Sequence, residues 1–245
     1  MWRIRLNDWK VRAHKRIIGE IGEKQAREME KYVKIAGKVL DVGCGTGEFL
    51  VSVVKKGCKV YGIEPDERLA KLAKMRFHIN QVNGVIIRSV GENLPFRDNF
   101  FDVVTCFSVL EHVKDPFKVI DEMIRVTRSF VFIHFPNYIY PYEWHYKMFW
   151  MPLMPKSIAK LYLKLRGRKP DFIKSVNYIT AFSILKYLDY KKNIKVRNCV
   201  VERIKNPELA VRHKKVARLL MRIPSMPELI SYLSPGVDIL VEKEE

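Results

Sequence analysis

The sequence predicts an α/β fold in which a mostly parallel sheet is covered by helices on both faces. Three observations point there. Short β-branched runs alternate with segments of helical period from residue 38 to residue 135. The first run, KVLDVG, ends in glycines that open directly into a helix-like segment. The 245 residues are 48% hydrophobic, enough for one domain with a substantial core. Strand and helix in strict alternation imply right-handed crossovers, and crossovers of one hand place helices over both faces of a parallel sheet.

The elements follow in order. Residues 8–34 mix charged residues with apolar ones at helical spacing, with Asp8 as a cap and Gly19 and Gly22 as candidate breaks. KVLDVG (38–43) is the first strand, and EFLVSVVKKG is a helix stopped by Gly57. KVYGIE is the second strand. Asp66 then caps a helix whose Leu69, Leu72, Ala73 and Phe77 share a face. VIIRSV, FDVVTCF and SFVFIHF are strands three to five, with FKVIDEMIRVT a helix between the last two. After residue 135 the rhythm changes. An aromatic, Met- and Pro-rich stretch, YPYEWHYKMFWMPLMPK, precedes the helix SIAKLYLKLRGRK, expected to pack through Ile158, Leu161, Tyr162 and Leu165. Residues 177–187 read as a further helix. IKVRNCVVERI and GVDILVEK read as two late strands, separated by a basic, helical PELAVRHKKVARLLMRI. Such an interval is too long for a plain hairpin loop.

Composition bounds the function classes. No uncharged apolar run reaches about 18 residues, and charges interrupt the opening residues before any signal-like stretch, so a cytoplasmic chain is expected. Cys44, Cys58, Cys106 and Cys199 show no CxxC spacing and the histidines no paired ligand motif, so neither disulfides nor a metal site is expected. The net charge of +18 is unevenly spread: +5 over residues 1–37, +2 over 38–135 and +11 over 136–245. Basic flanks around a neutral core point to an anionic partner, whether a membrane surface, RNA or an acidic substrate. Lys-rich surfaces of proteins adapted to heat would look the same.

The chemistry concentrates in VLDVGCGTGEFL, residues 39–50. Glycines after a strand permit a sharp turn and close approach of a ligand to the following helix. A dinucleotide fingerprint would be GxGxxG, whereas the sixth position here is Glu48, whose charge opposes a pyrophosphate.

At these residues the sequence resembles the class I S-adenosylmethionine-dependent methyltransferases, small-molecule or lipid-type subgroup. Asp41, Gly43, Gly45 and Gly47 match the family's acidic residue followed by GxGxG, and Glu64 in KVYGIEPDE matches its acidic residue at the end of strand two. The resemblance extends through VGENLPFRDNFFDVVTCFSVLEHVKDP and HFPN, and covers residues 38–137. It implies a three-layer sandwich with a seven-stranded sheet whose last strand is antiparallel. Around that frame the chain adds an N-terminal helix, a helical lid after strand five and a helical insert between the last two strands. A single domain is expected: N-terminal segment 1–37, cofactor core 38–135, lid and acceptor region 136–190, and late strands with insert 191–245.

The resemblance implies S-adenosyl-L-methionine as cofactor and S-adenosyl-L-homocysteine as product. The loop from Asp41 through Gly43, Cys44, Gly45 and Gly47 would surround the methionine part, with Glu64 accepting from both ribose hydroxyls. Ile63 and Pro65 would flank the adenine, and Phe107 and Ser108 would sit beside the cofactor. Where many members carry an Asp for the adenine amino group this chain has Val90, so that contact falls to Gly91 and Glu92.

Methyl transfer needs alignment, exclusion of water and, for an acceptor that loses a proton, a base. His134, His112, Glu143 and His145 are the candidates, His134 foremost because it ends strand five on the ligand-binding edge of the sheet. Asn137, Tyr142, Trp144, Trp150 and Met151 are expected to line the acceptor side. The NPP[YF] loop of nucleobase methyltransferases is replaced by FSVLEH, which favours methylation at oxygen or carbon of a small hydrophobic or lipid-linked acceptor, with peripheral contact to an anionic membrane. RNA methylation through the basic flanks, and a non-catalytic cofactor-binding protein, are the rival readings.

Overall fold

The computed structural model describes residues 20–143, 145–170, 173, 176–206 and 225–244. The chain starts with helix α1 (20–30) and then alternates β1 (Lys38–Val42), α2 (Glu48–Val54), β2 (Lys59–Ile63), α3 (Glu67–Ile79) and β3 (Gly84–Ile87). It continues through β4 (Phe101–Phe107), α4 (Pro116–Val126) and β5 (Thr127–Pro136). Asp66 and Asp115 cap α3 and α4, each carboxylate accepting from two backbone N–H groups of the first turn. The small hairpin β6 (Tyr142–Glu143) and β7 (Met148–Phe149) follows, then a 3-10 turn at Met151–Leu153, α5 (Lys156–Leu165) and α6 (Ala181–Asp189). The chain closes with β8 (Ile194–Asn198), α7 (Cys199–Lys205), α8 (Met226–Leu233) and β9 (Gly236–Lys243).

The seven strands lie in the order β3-β2-β1-β4-β5-β9-β8. The first five are parallel, and β9 runs antiparallel to both β5 and β8, as the family resemblance implied. Two apolar layers sandwich the sheet. One packs Ala26 and Met29 of α1, Phe49 and Leu50 of α2, and Ala73 and Phe77 of α3 on the first face. The other packs Val119, Ile120 and Met123 of α4 with Ile184 and Leu188 of α6 on the second. The order reverses between β1 and β4, and a crevice opens beyond their carboxyl ends, where parallel α/β sheets bind ligands.

Four sequence expectations change. Gly22 does not break α1: a Cβ there would lie 2.3 Å from the Glu48 carbonyl oxygen, so the glycine lets α1 press against the start of α2. Ser52 Oγ donates to the Gly22 carbonyl at the same contact. IKVRNCVVERI is not one strand, because Asn198 accepts from the N–H groups of Val200 and Val201 and turns the second half into α7. In α5 the buried residues are Ala159 and Leu163, and the expected packing stripe Ile158, Leu161 and Leu165 faces outward. The region after β5 opens as a strand hairpin before it becomes helical. Asp8, Gly19 and the basic insert at 207–223 lie outside the described residues. Among the described residues no helix is long and apolar enough to cross a membrane.

Candidate active site

The loop after β1 is shaped by its glycines. Gly43, Gly45 and Gly47 have φ of 71°, 53° and 78°, a region costly for residues with a Cβ. At Gly43 a Cβ would sit 2.4 Å from Val109 Cγ2, so the loop packs tightly against the β4–α4 connection; at Gly45 a Cβ would meet nothing within 4 Å. Gly43 and Cys44 both donate their N–H to the Ile63 carbonyl, at 2.8 and 2.9 Å, which ties the loop to the end of β2. Ile63 therefore acts through its backbone, its side chain being fully buried. Cys44 behaves likewise: its Sγ would lie 2.6 Å from a Cβ on Gly62, inside the sheet layer, and burial pushes its thiol far up.

Two buried carboxyls stand at this crevice. Glu64 Oε2 accepts from Gly45 N–H and Oε1 from Asp66 N–H, both at 2.9 Å, so loop and strand end are joined through one carboxylate. Burial raises its pKa, while those two N–H groups pull it back. Asp41 accepts from Thr105 Oγ1 at 2.8 Å, and burial pushes it up to about 7, helped by the negative charges of Glu48 and Glu64. Among the described residues no cation enters the balance at either group. A cationic ligand in the crevice would stabilise both ionised forms, and a vicinal diol would find free lone pairs on the Glu64 oxygens. Glu48 differs: Arg76 lies 3.1 Å from its carboxylate, so the charge invoked against a pyrophosphate is already paired.

The residues expected at the adenine also make contacts within the chain. Glu92 Oε1 accepts from the N–H groups of Lys114 and Asp115, bracing the start of α4 instead of facing a base. A Cβ on Gly91 would sit 3.0 Å from Val42 Cγ1, which accounts for the glycine as a packing requirement. Pro65 is exposed beside Glu64. Phe107 packs its ring against Phe49 and Phe132, with centroids 4.9 and 5.8 Å away.

Next to this crevice lies a cavity of ≈310 Å³ built from four segments. Ser108 and Glu111 come from the β4–α4 connection. His134, Pro136, Asn137 and Tyr138 come from the end of β5, Tyr142, Glu143 and His145 from the hairpin region, and Pro235 and Gly236 from the start of β9. His134 pairs with Asp238 across the β5–β9 register, and its Nδ1 lies 2.6 Å from Asp238 Oδ1. Asp238 also binds Arg203, whose Nε donates to Tyr32 Oη at 3.1 Å. Burial would raise Asp238, but His134 and Arg203 together hold its carboxyl below the usual range. On the opposite side His145 Nδ1 lies 2.6 Å from Glu143 Oε1, and Tyr146 N–H donates to Glu143 Oε2 at 2.6 Å. Glu111 also lines the cavity, 1% exposed; its Oε1 lies 3.8 Å from His112 Nε2, and its Oε2 has no hydrogen-bond partner among the described residues. Burial pushes it up to about 7, against the pull of its own N–H and of His145 and His134.

His134, Glu143 and His145 line one cavity, together with Ser108, Tyr142 and Asn137. Asn137 lines it mainly as a brace: its Nδ2 donates to the Tyr232 and Ser234 carbonyls, and its Oδ1 accepts from Ala181 N–H. His112 is outside the lining, edge-on to His145 with ring centroids 5.3 Å apart. Trp150 is exposed, and Met151 is fully buried in a separate cluster with Ala159, Leu163 and Ile173, so neither lines the cavity. Trp144 lies outside the described residues. Sequence reasoning missed Glu111, Tyr138 and Asp238. Glu111, a lone acid between apolar residues in VLEHV, carried a legible signal; Asp238 did not, because its role exists only through strand register.

Residues 40–133, spanning β1 to β5, match the family model described as a methyltransferase domain. That stretch is similar to a methyltransferase domain. Its architecture is the Rossmann-like fold of the class I enzymes: a structure from Methanococcus maripaludis assigned to the S-adenosyl-L-methionine-dependent methyltransferases superposes with a TM-score of 0.59 at 14% identity, covering 95% of this chain and 89% of that one. An uncharacterized methyltransferase of Mycobacterium sp. (strain KMS) is 31% identical over 153 residues, 61% of this chain and 59% of the relative. A ubiquinone biosynthesis O-methyltransferase of Nitrosomonas europaea is 39% identical over 93 residues, 37% of this chain and 39% of the relative. The chain thus spans less than two thirds of the length of these relatives. The matched stretch ends just before His134, so the cavity is built largely from segments beyond it.

Proposed function

We propose that the protein transfers the methyl group of S-adenosylmethionine to a hydroxyl oxygen of a small hydrophobic acceptor held in the ≈310 Å³ cavity. One observation carries the reading: two buried carboxyls, Asp41 and Glu64, with no cation beside them among the described residues, border a cavity lined by two carboxylate-held histidines. The first pair suits a sulfonium ligand with a ribose diol, and the second suits removal of a proton. The O-methyltransferase relative, matched over the cofactor half, supports oxygen as the accepting atom.

When bound, S-adenosylmethionine supplies a methyl carbon already activated for in-line displacement. Glu64 would accept from the ribose hydroxyls, and Asp41 would balance the positive charge. Pro136, Tyr138 and Tyr142 supply apolar wall, and among the described residues the lining contains neither Lys nor Arg, which favours a reacting end without phosphate or carboxylate. Transfer of that methyl to the acceptor oxygen would leave the bond's electron pair on sulfur and would release the hydroxyl proton to the protein. His134 takes the hydroxyl proton on Nε2, because Asp238 occupies Nδ1 and stabilises the imidazolium that results. Asp238 is thereby a positioning residue, held in turn by Arg203.

The test uses labelled cofactor and extracts split into lipid, RNA and small-molecule fractions. Label in the lipid or small-molecule fraction is expected, and label confined to RNA would overturn the acceptor assignment. His134→Ala should lower turnover by about 10²- to 10⁴-fold, the usual range for loss of a general base, with cofactor affinity retained. Asp238→Asn should shift the pH–rate profile. Unaltered turnover in His134→Ala would remove the histidine from the reaction.

A further inference from the structure

The stretch that follows the cavity hairpin carries an outward face that packing does not explain. Residues 144–170 contain seven Lys or Arg and no Asp or Glu. Within them Phe149, Trp150, Leu153, Ile158, Leu161 and Leu165 are each more than half exposed, and Leu165 reaches 77%. Ile158, Leu161 and Leu165 are spaced three and four apart, so they form one stripe along α5, and Lys160 and Lys164 flank it. The opposite side of the helix buries Ala159 and Leu163. α5 is therefore held to the body by Ala159 and Leu163 while Ile158, Leu161 and Leu165 point away from it.

Scattered exposed leucines are ordinary on a soluble surface. A contiguous stripe of them, beside lysines and free of acids, is not. Apolar side chains flanked by cations, on a helix lying flat against the body, match the requirements for seating in the headgroup layer of an anionic bilayer. An RNA partner would use the cations but would leave the leucines wet; a protein partner would more naturally face a mixture of charges.

The same hairpin links this face to the cavity. Tyr142 lines the cavity and is paired in register with exposed Phe149, their rings 4.8 Å apart. We propose that the α5 stripe, with Leu153 and Phe149 at its head, docks on an anionic lipid bilayer and holds the cavity close to the headgroup layer, so that a lipid-soluble acceptor enters without crossing open water. The acceptor half of this inference rests on the function proposed above; the docking half does not.

The experiment is flotation of the full chain with vesicles of phosphatidylcholine containing phosphatidylglycerol, and with phosphatidylcholine alone. The wild type should float with the anionic vesicles at low salt and lose most of that binding at about 0.5 M salt, where surface charge is screened within about 4–5 Å. The double variant Leu161→Asp, Leu165→Asp changes only exposed positions and should keep the wild-type melting temperature. Its affinity for anionic vesicles should fall by roughly tenfold or more. S-adenosylhomocysteine calorimetry on the same samples reads the cofactor site separately, so failure of docking and failure of the methyltransferase reading remain distinguishable. Absence of vesicle binding by the wild type would overturn the proposal. So would equal binding by the double variant, or displacement by RNA that is indifferent to the leucine substitutions, which would mark the face as a polyanion site.

Discussion

Glu64→Gln tests the cofactor site at its most constrained atom pair. The carboxylate already accepts from Gly45 N–H through one oxygen and from Asp66 N–H through the other, both at 2.9 Å. A ribose diol would add one donor to each oxygen, and four donors on two oxygens is what a carboxylate accommodates. Glutamine keeps one accepting oxygen, and its NH₂ must face either a backbone N–H or a ribose hydroxyl as donor against donor. At least one charge-assisted bond to the ligand is lost, worth about 1.5–3 kcal/mol, or about 10- to 150-fold in Kd. Calorimetric titration with S-adenosylhomocysteine measures this directly, with thermal unfolding to verify that the variant folds. Glu67→Gln is the control: that residue lies one turn away and is exposed, with Lys71 and Arg88 as partners, so its affinity should match wild type. If folded Glu64→Gln binds within twofold of wild type, Glu64 does not hold the ribose and the crevice is misassigned.

Three further outcomes are expected. An unfolded Glu ionises near 4.5, while burial pushes Glu111 up to about 7, so between those values the folded chain holds the extra proton and stability falls as pH rises. Glu111→Gln should therefore gain on wild type by about 2–3 kcal/mol from pH 4.5 to 7.5, read by denaturant unfolding; parallel pH profiles would contradict it. Gly43→Ala, with its Cβ driven into Val109, should lose clearly more stability than Gly45→Ala, whose Cβ meets nothing; Gly45→Ala should fold yet bind S-adenosylhomocysteine poorly. The thiols of Cys44, Cys58, Cys106 and Cys199 are all buried and raised in pKa by burial, so a thiol reagent at pH 8 should react fully only after unfolding.

Local patterns carried the frame. Alternating β-branched and helical periods, Asp66 as a cap, and glycines at a strand end all act within a few residues, so the layered sheet and the crevice beyond β1 were readable before any coordinates. The same holds for Glu64, whose two backbone partners lie at Gly45 and Asp66 in the motifs that singled it out. Misreadings arose where a residue's surroundings come from elsewhere in the chain. Periodicity located a stripe on α5 but not which way it faces, because whether Leu163 or Leu161 turns inward depends on Met151 and Ile173. Gly22 looked like a helix breaker until the Glu48 carbonyl was beside it.

The sequence by itself determined the sheet order's logic, the glycine loop and the acidic residue that meets it, since each is a short-range consequence of backbone freedom and side-chain type. Tertiary structure alone decided how the cavity beside the crevice is lined. His134 acquires its carboxylate partner from 104 residues away through β5–β9 register, and Glu111 becomes a buried acid only because four separate segments close around it. Desolvation depends on everything that surrounds a group, and no window of sequence contains that information.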